Sequence, residues 1–183
     1  PNTPGLRNIQ TSDILSKLLK TIDNERKAIE DKRGSSLQLW LKIAPDLEDI
    51  ELKKLIDTAI DNNIDALCIS NTTIKRPNNL TSNKKIEDGG LSGKPIETKS
   101  NILINKFYKL LKGKIKIIGV GGVDSGQAAY AKFLAGADFI QLYTGMVFKG
   151  PNIAGIIKKD LKDLLLRDGV KNFNEIVGNK TLS

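Results

Sequence analysis

The chain has 183 residues, 39% of them apolar and 27% charged. That is an ordinary single folded domain, and it excludes collagen-like, coiled-coil and acidic disordered classes. There is no histidine and a single cysteine, Cys68, which excludes Ser-His-Asp and Cys-His catalysis, histidine metal sites and a disulfide framework. Basic residues outnumber acidic ones 29 to 21, for a net charge of +8. Such an excess points to an anionic partner: nucleic acid, a membrane surface or a phosphorylated ligand.

In chain order, Ile14, Leu15, Leu18, Leu19, Ile22 and Ile29 recur at three-to-four spacing and predict a helix over 12–32, capped by Ser12 and ended by Gly34. LQLWLKIA (37–44) reads as a buried strand. Asp46 opens the next helix, with Leu52, Leu55, Ile56, Ala59 and Ile60 inward. IDALCIS (64–70) is a second strand, in which Cys68 packs as a small hydrophobe. A helix over 98–111 turns Leu103, Phe107, Leu110 and Leu111 inward. IKIIGVGG (115–122) is the third strand, and a helix runs from Ser125 to Gly136. DFIQLYTG (138–145) is the fourth strand, followed by a helix over 152–168 and a short one near 173–177. Trp40, Phe107 and Phe133 are assigned to the core. No apolar run approaches 18 residues, and no secretory signal opens the chain.

Strands and helices alternate four times, and each strand is too apolar to have a wet face. The fold class is therefore α/β with parallel strands. The sheet is either open and doubly wound or part of a (β/α)8 barrel; a complete barrel takes roughly 250 residues, so four units make half of one. The chain starts at Pro1 and its sole methionine is Met146, so the expectation is a segment of a longer product. The long connection over 74–97 reads as a functional lid.

In both architectures ligands sit at the carboxyl ends of the strands, and polar residues gather at those ends. Lys42 interrupts an apolar strand, where an ammonium needs an anion: a ligand, or else a core carboxylate. Ser70, Asn71, Thr72 and Thr73 follow the second strand and can read the polar edge of a planar ligand, or can form a self-satisfied turn. GVGG (119–122) lets backbone N–H groups approach an anion, although it is not GxGxxG. With Tyr143 and Thr144 after the fourth strand, Gly121 and Gly122 form a phosphate site if these are the last two barrel strands. Between Lys94 and Lys116 stand seven lysines and one acid, Glu97. They form either the solvated face of a helix or, as a different class of function, a non-enzymatic basic module for nucleic acid.

PNTPGLR (1–7), KIAPDL (42–47), SNTT (70–73), GGLSGKP (89–95), GVGGVDS (119–125) and QLYTG (141–145) occur in that order. Together they resemble the class 2, quinone-dependent dihydroorotate dehydrogenases, over essentially the whole chain. The resemblance implies the carboxyl-terminal half of a (β/α)8 barrel, with FMN as cofactor, dihydroorotate oxidised to orotate in pyrimidine (UMP) synthesis, and ubiquinone or another quinone as acceptor. Phe107 and Tyr108, the aromatics of the lysine-rich stretch, lie on or beside its helix's apolar stripe, so no nucleic-acid partner is expected. By motif, Lys42, Ser70, Gly93, Gly122, Tyr143 and Thr144 would hold FMN, the last three around its phosphate. Asn2, Asn71 and Thr72 would bind the substrate, and Thr3 would belong to a proton relay. The family's base is a serine immediately before PNTPG, one residue ahead of Pro1. The quinone entrance and a peripheral membrane attachment, on the cytoplasmic side of the cell membrane or on the mitochondrial inner membrane, would belong to the part upstream. Other flavin barrels, of the class 1 or dihydropyrimidine type, are the nearest alternatives, and GGLSGKP and KIAPDL argue against them.

Overall fold

The computed structural model describes residue 9 and residues 12–179; Asn2, Thr3 and the PNTPGLR motif lie outside the described residues. Four strands, β1 (Trp40–Ile43), β2 (Ala66–Ile69), β3 (Lys116–Val120) and β4 (Phe139–Gln141), form one parallel sheet in the order β1-β2-β3-β4. A doubly wound sheet reverses its strand order at a switch point. This sheet does not reverse, and its crossover helices α2 (Asp49–Asp61), α3 (Glu97–Leu111) and α4 (Gly126–Ala135) follow one another around its outside. The architecture is therefore an arc of a βα barrel. Helix α1 (Ser12–Arg33) leads into it, and α5 (Thr144–Lys149) and α6 (Ile153–Arg167) follow β4.

Alternation along the strands sorts their side chains. Ile43, Leu67, Ile69 and Ile117 point outward into the main core with Leu52, Leu55, Ile104, Phe107 and Leu111 of the helices. Ala66, Cys68, Ile118 and Val120 form a separate cluster on the inner face. The register places Lys42, Cys68, Ile118 and Phe139 side by side on that inner face.

Several sequence expectations change in detail. Trp40 is 52% exposed, because it lies on the inner face at the end of the sheet and not in the core. Lys42 is exposed for the same reason, and among the described residues it has no carboxylate partner. Leu110 is exposed and Ile104 is buried, since the inward stripe of α3 runs through Ser100, Leu103, Ile104, Phe107 and Leu111. Of the apolar stripe of α1 only Leu15 and Leu19 are buried; Ile14, Leu18 and Ile29 are exposed because that helix packs chiefly on one neighbour, α2. Asp46 does not open α2. Glu48 does, with its backbone N–H donating to Glu51 at 2.8 Å. The predicted stop and start of α4 coincide with its caps: Ser125 Oγ accepts from the Ala128 N–H, and Gly136 adopts a left-handed φ of 114°. The fourth strand is only three residues long, because residues 144–149 turn into α5.

Candidate functional site

A cleft of about 240 Å³ opens at the carboxyl ends of the four strands. Its walls include Lys42, Ser70, Asn71, Thr72, Gly93, Gly122, Tyr143 and Thr144, all eight described residues singled out from the motifs. They come from positions a hundred residues apart, and the parallel register is what brings them together.

Behind the β2 end lies a buried polar hinge. The Asp46 carboxylate accepts from Thr73 Oγ1 (2.6 Å), the Ile74 N–H (3.3 Å) and the Lys99 ammonium. One carboxylate thus ties the β1–α2 loop, the SNTT turn and helix α3. Asn71 donates its N–H to the Ile43 carbonyl at 2.8 Å, and its side-chain oxygen accepts from the Thr72 N–H at 2.8 Å. Ser70 Oγ donates to the Asn71 carbonyl at 3.0 Å. The turn is therefore partly self-satisfied. Among the described residues, no acceptor meets the Asn71 amide NH2, the Thr72 hydroxyl or the Lys42 ammonium, so these donors remain for a ligand. Burial pushes the Cys68 thiol up from its ordinary range, and the Lys42 charge beside it pulls the other way.

The long connection is a wrapped loop. Thr73 and Leu91 exchange backbone hydrogen bonds at 3.1 and 2.8 Å and close its base. Inside, Arg76 donates to the carbonyls of Thr73, Ile74, Lys85, Glu87 and Gly89, the shortest at 2.8 Å. The loop is thereby pinned so that Gly93 reaches the far side of the cleft. There a Cβ on Gly93 would stand 2.9 Å from the Thr144 methyl, and Thr144 Oγ1 donates to Ser92 Oγ at 3.0 Å.

The phosphate-like end is built from backbone. Gly122 has φ 76°, and a Cβ there would strike the Glu97 Cβ at 2.4 Å, so only glycine fits. Among the described residues, no acceptor meets the N–H groups of Gly122 or of Thr144, the first residue of α5. Two donors without a partner among the described residues suit an anion. Glu97 is turned away from that duty, paired with Lys94 at 2.5 Å, which raises the Lys94 pKa.

The lysine-rich stretch disperses. Lys94, Lys99, Lys106 and Lys116 each pair with carboxylates, Phe107 is buried, and Tyr108 donates its hydroxyl to the Val177 carbonyl. The aromatic platforms that single-stranded nucleic acid needs are thus committed elsewhere. Among the described residues, no helix is long and apolar enough to cross a membrane, and no group of acidic, cysteine or histidine side chains could hold a metal ion.

Asp46, Arg76 and Lys132 escaped the sequence reading as site-building residues. Lys132 alone left a signal, since it falls at helical spacing from Ala128 and Ala135, on the inward side of α4.

Parallel strands in barrel order, with one ligand cleft at their carboxyl ends, define a βα-barrel protein. The chain belongs to the dihydroorotate dehydrogenase family, whose model, described as "Dihydroorotate dehydrogenase", matches residues 1–165. It is 45% identical over 175 residues to the dihydroorotate dehydrogenase (quinone) of Bartonella tribocorum, covering 96% of this chain and 49% of that one. It is 42% identical over 179 residues to the protein of the same name from Bradyrhizobium diazoefficiens, covering 97% and 49%. The crystal structure of Eimeria tenella DHODH in complex with ferulenol superposes with a TM-score of 0.93 at 34% identity, over 99% of this chain and 52% of that one. The chain spans about half the length of the curated relatives it matches.

Proposed function

We propose that this chain is the carboxyl-terminal, flavin-binding half of a quinone-dependent dihydroorotate dehydrogenase, which oxidises (S)-dihydroorotate to orotate and passes the electrons to a quinone. The observation that carries this reading is the convergence of eight motif residues on one cleft in a chain of that family. The cleft suits FMN in its donor set: a glycine cradle with free N–H groups at one end, and a lysine and amide donors at the other. When bound, FMN would supply the hydride acceptor for dihydroorotate oxidation and the electron carrier to the quinone.

The residues of this chain bind, orient and stabilise charge. Gly122 and Thr144 N–H groups, with Tyr143 at the rim, take the phosphate, and Gly93 closes over it from the loop. The Lys42 ammonium, on the inner face next to Cys68, supplies positive charge where negative charge develops on the ring system. Asn71 and Thr72 donate to the anionic substrate, with Asn2 as a further contact and Thr3 in the relay that serves the base. The base is the serine that the family carries just ahead of PNTPG. Contact with the membrane is peripheral and belongs to the portion that precedes this chain in its relatives.

The test is an anaerobic visible spectrum of the full-length protein loaded with FMN. Bleaching on addition of dihydroorotate and recovery on addition of a short-chain ubiquinone is the expected result. A protein that retains no flavin, or whose flavin is unchanged by dihydroorotate, overturns the reading.

A further inference from the structure

Lys132 on α4 is a fully buried lysine with no role in the assignments above. Its stem runs against Gly119 of β3, where a Cβ would come within 3.1 Å of the lysine Cδ. Its ammonium donates to Ser100 Oγ at 3.1 Å and Asn101 Oδ1 at 2.8 Å, both on α3. Ser100 Oγ donates in turn to the Val120 carbonyl at 2.5 Å, and the same carbonyl accepts the Ser70 N–H at 3.1 Å.

The direction of this chain is fixed by donor chemistry. An ammonium can only donate, so Ser100 must accept from it and send its single proton to Val120. A carbonyl and the next N–H lie on opposite edges of one planar peptide. Holding the Val120 carbonyl toward Ser100 therefore turns the Gly121 N–H the other way and sets the start of the Gly121–Gly122 turn. The charge has a second consequence. Among the described residues, no carboxylate lies within ion-pair distance of Lys132; the charged groups facing it are Glu97 at the start of α3, already paired with Lys94, and Lys94 itself. Burial lowers the Lys132 pKa to about 8, which leaves it largely protonated at neutral pH. A buried ammonium held only by neutral oxygens carries a desolvation cost, and an apolar side chain of equal length would fill the space without it.

We propose that Lys132 is a positioning residue for the phosphate end of the cleft: through Ser100 and the Val120 carbonyl it aims the Gly121–Gly122 turn at the anion and places a cation behind it. The proposal rests on the flavin reading of the cleft.

Dissociation constants of FMN and of riboflavin, which lacks the phosphate, are measured by flavin fluorescence in the full-length protein and in its Lys132→Met variant. The FMN constant rises about tenfold in the variant while that of riboflavin changes by less than about twofold. Ser100→Ala, which cuts the link and leaves the lysine in place, gives the same selective loss. Equal weakening of both flavins, no change in either, or loss of the folded circular dichroism spectrum in both variants overturns the proposal and makes the network a structural one. A wild-type protein that binds neither flavin overturns the flavin reading itself, whereas one that binds both and loses neither in the variants overturns only the role of Lys132.

Discussion

The two faces of the sheet differ more than their sequences suggest. On the outer face, Ile43, Leu67, Ile69 and Ile117 are almost completely covered by α2 and α3. On the inner face, Trp40, Lys42 and Phe139 are exposed, and among the described residues the apolar cluster there is the small one around Cys68. The two lysines of interest fall on opposite sides of this divide: Lys132 is sealed behind β3 on the outside, and Lys42 stands free on the inside. Stability is concentrated where water is excluded. The groups that line the cleft stand where it is not, with Asp46, Arg76 and Lys132 behind them. The lesson is that the outer layer sets the geometry which the inner layer uses.

The sharpest test of that contrast is a pair of truncations. Phe107→Ala empties a fully buried outer position and lowers the unfolding free energy by roughly 3–5 kcal/mol. Phe139→Ala, on the open inner face, costs less than about 1 kcal/mol in this chain. Urea denaturation measures both, and equal costs would abolish the distinction between the faces.

Next in size is a pH effect carried by Lys132. Its pKa in the folded chain is about 8 against an ordinary 10.5. Between those values the unfolded chain binds more protons, so stability rises as pH climbs from about 8 to 10.5, by on the order of 3 kcal/mol at most. Denaturation curves across that range show the rise in the wild type and not in Lys132→Met; a rise in both would assign it to other groups.

Asp46→Ala removes the acceptor shared by Thr73, Ile74 and Lys99. It costs about 2 kcal/mol and speeds hydrogen exchange at the Thr73 and Leu91 amides, whose mutual bonds close the loop. Unchanged exchange there would mean that Arg76 alone holds the loop.

The smallest effect on stability belongs to Lys42→Ala, within about 0.5 kcal/mol, because the side chain is exposed and unpaired among the described residues. In the full-length protein the same change slows flavin reduction by dihydroorotate at least about tenfold. Stopped-flow absorbance reads that rate, and an unchanged value removes Lys42 from charge stabilisation.

Much of this was legible in one dimension. The four βα units were readable because an apolar run flanked by glycine or polar turns has few other uses. Their carboxyl ends were readable because Lys42, SNTT, GVGG and Tyr143–Thr144 interrupt those runs with polar or small residues. The Ser125 and Gly136 limits of α4 were readable because caps are local chemistry. What failed were particular burial assignments, while Leu103, Phe107, Leu111 and Phe133 are buried as expected. Trp40 and Leu110 are apolar and fall in the right elements, yet the first faces the open side of the arc and the second lies beside the buried stripe of its helix.

Sequence by itself therefore determined the element order, the parallel character of the sheet and the polar strand ends that line the cleft, since these follow from short-range periodicity and from the rule that parallel strands place their ends together; Gly93 was legible only through the family resemblance of its motif. Periodicity left an open doubly wound sheet and a partial barrel both standing; the resemblance implied the barrel, and the strand order of the tertiary structure bears that out. The tertiary structure alone revealed that Asp46 serves a loop and not a helix, that Arg76 gathers five carbonyls, and that Lys132 reaches Val120 through Ser100. Apart from the two carbonyls of Thr73 and Ile74 beside Arg76, these contacts join residues from about ten to more than fifty positions apart. Their strength depends on burial and direction, which a linear pattern of residue types does not contain.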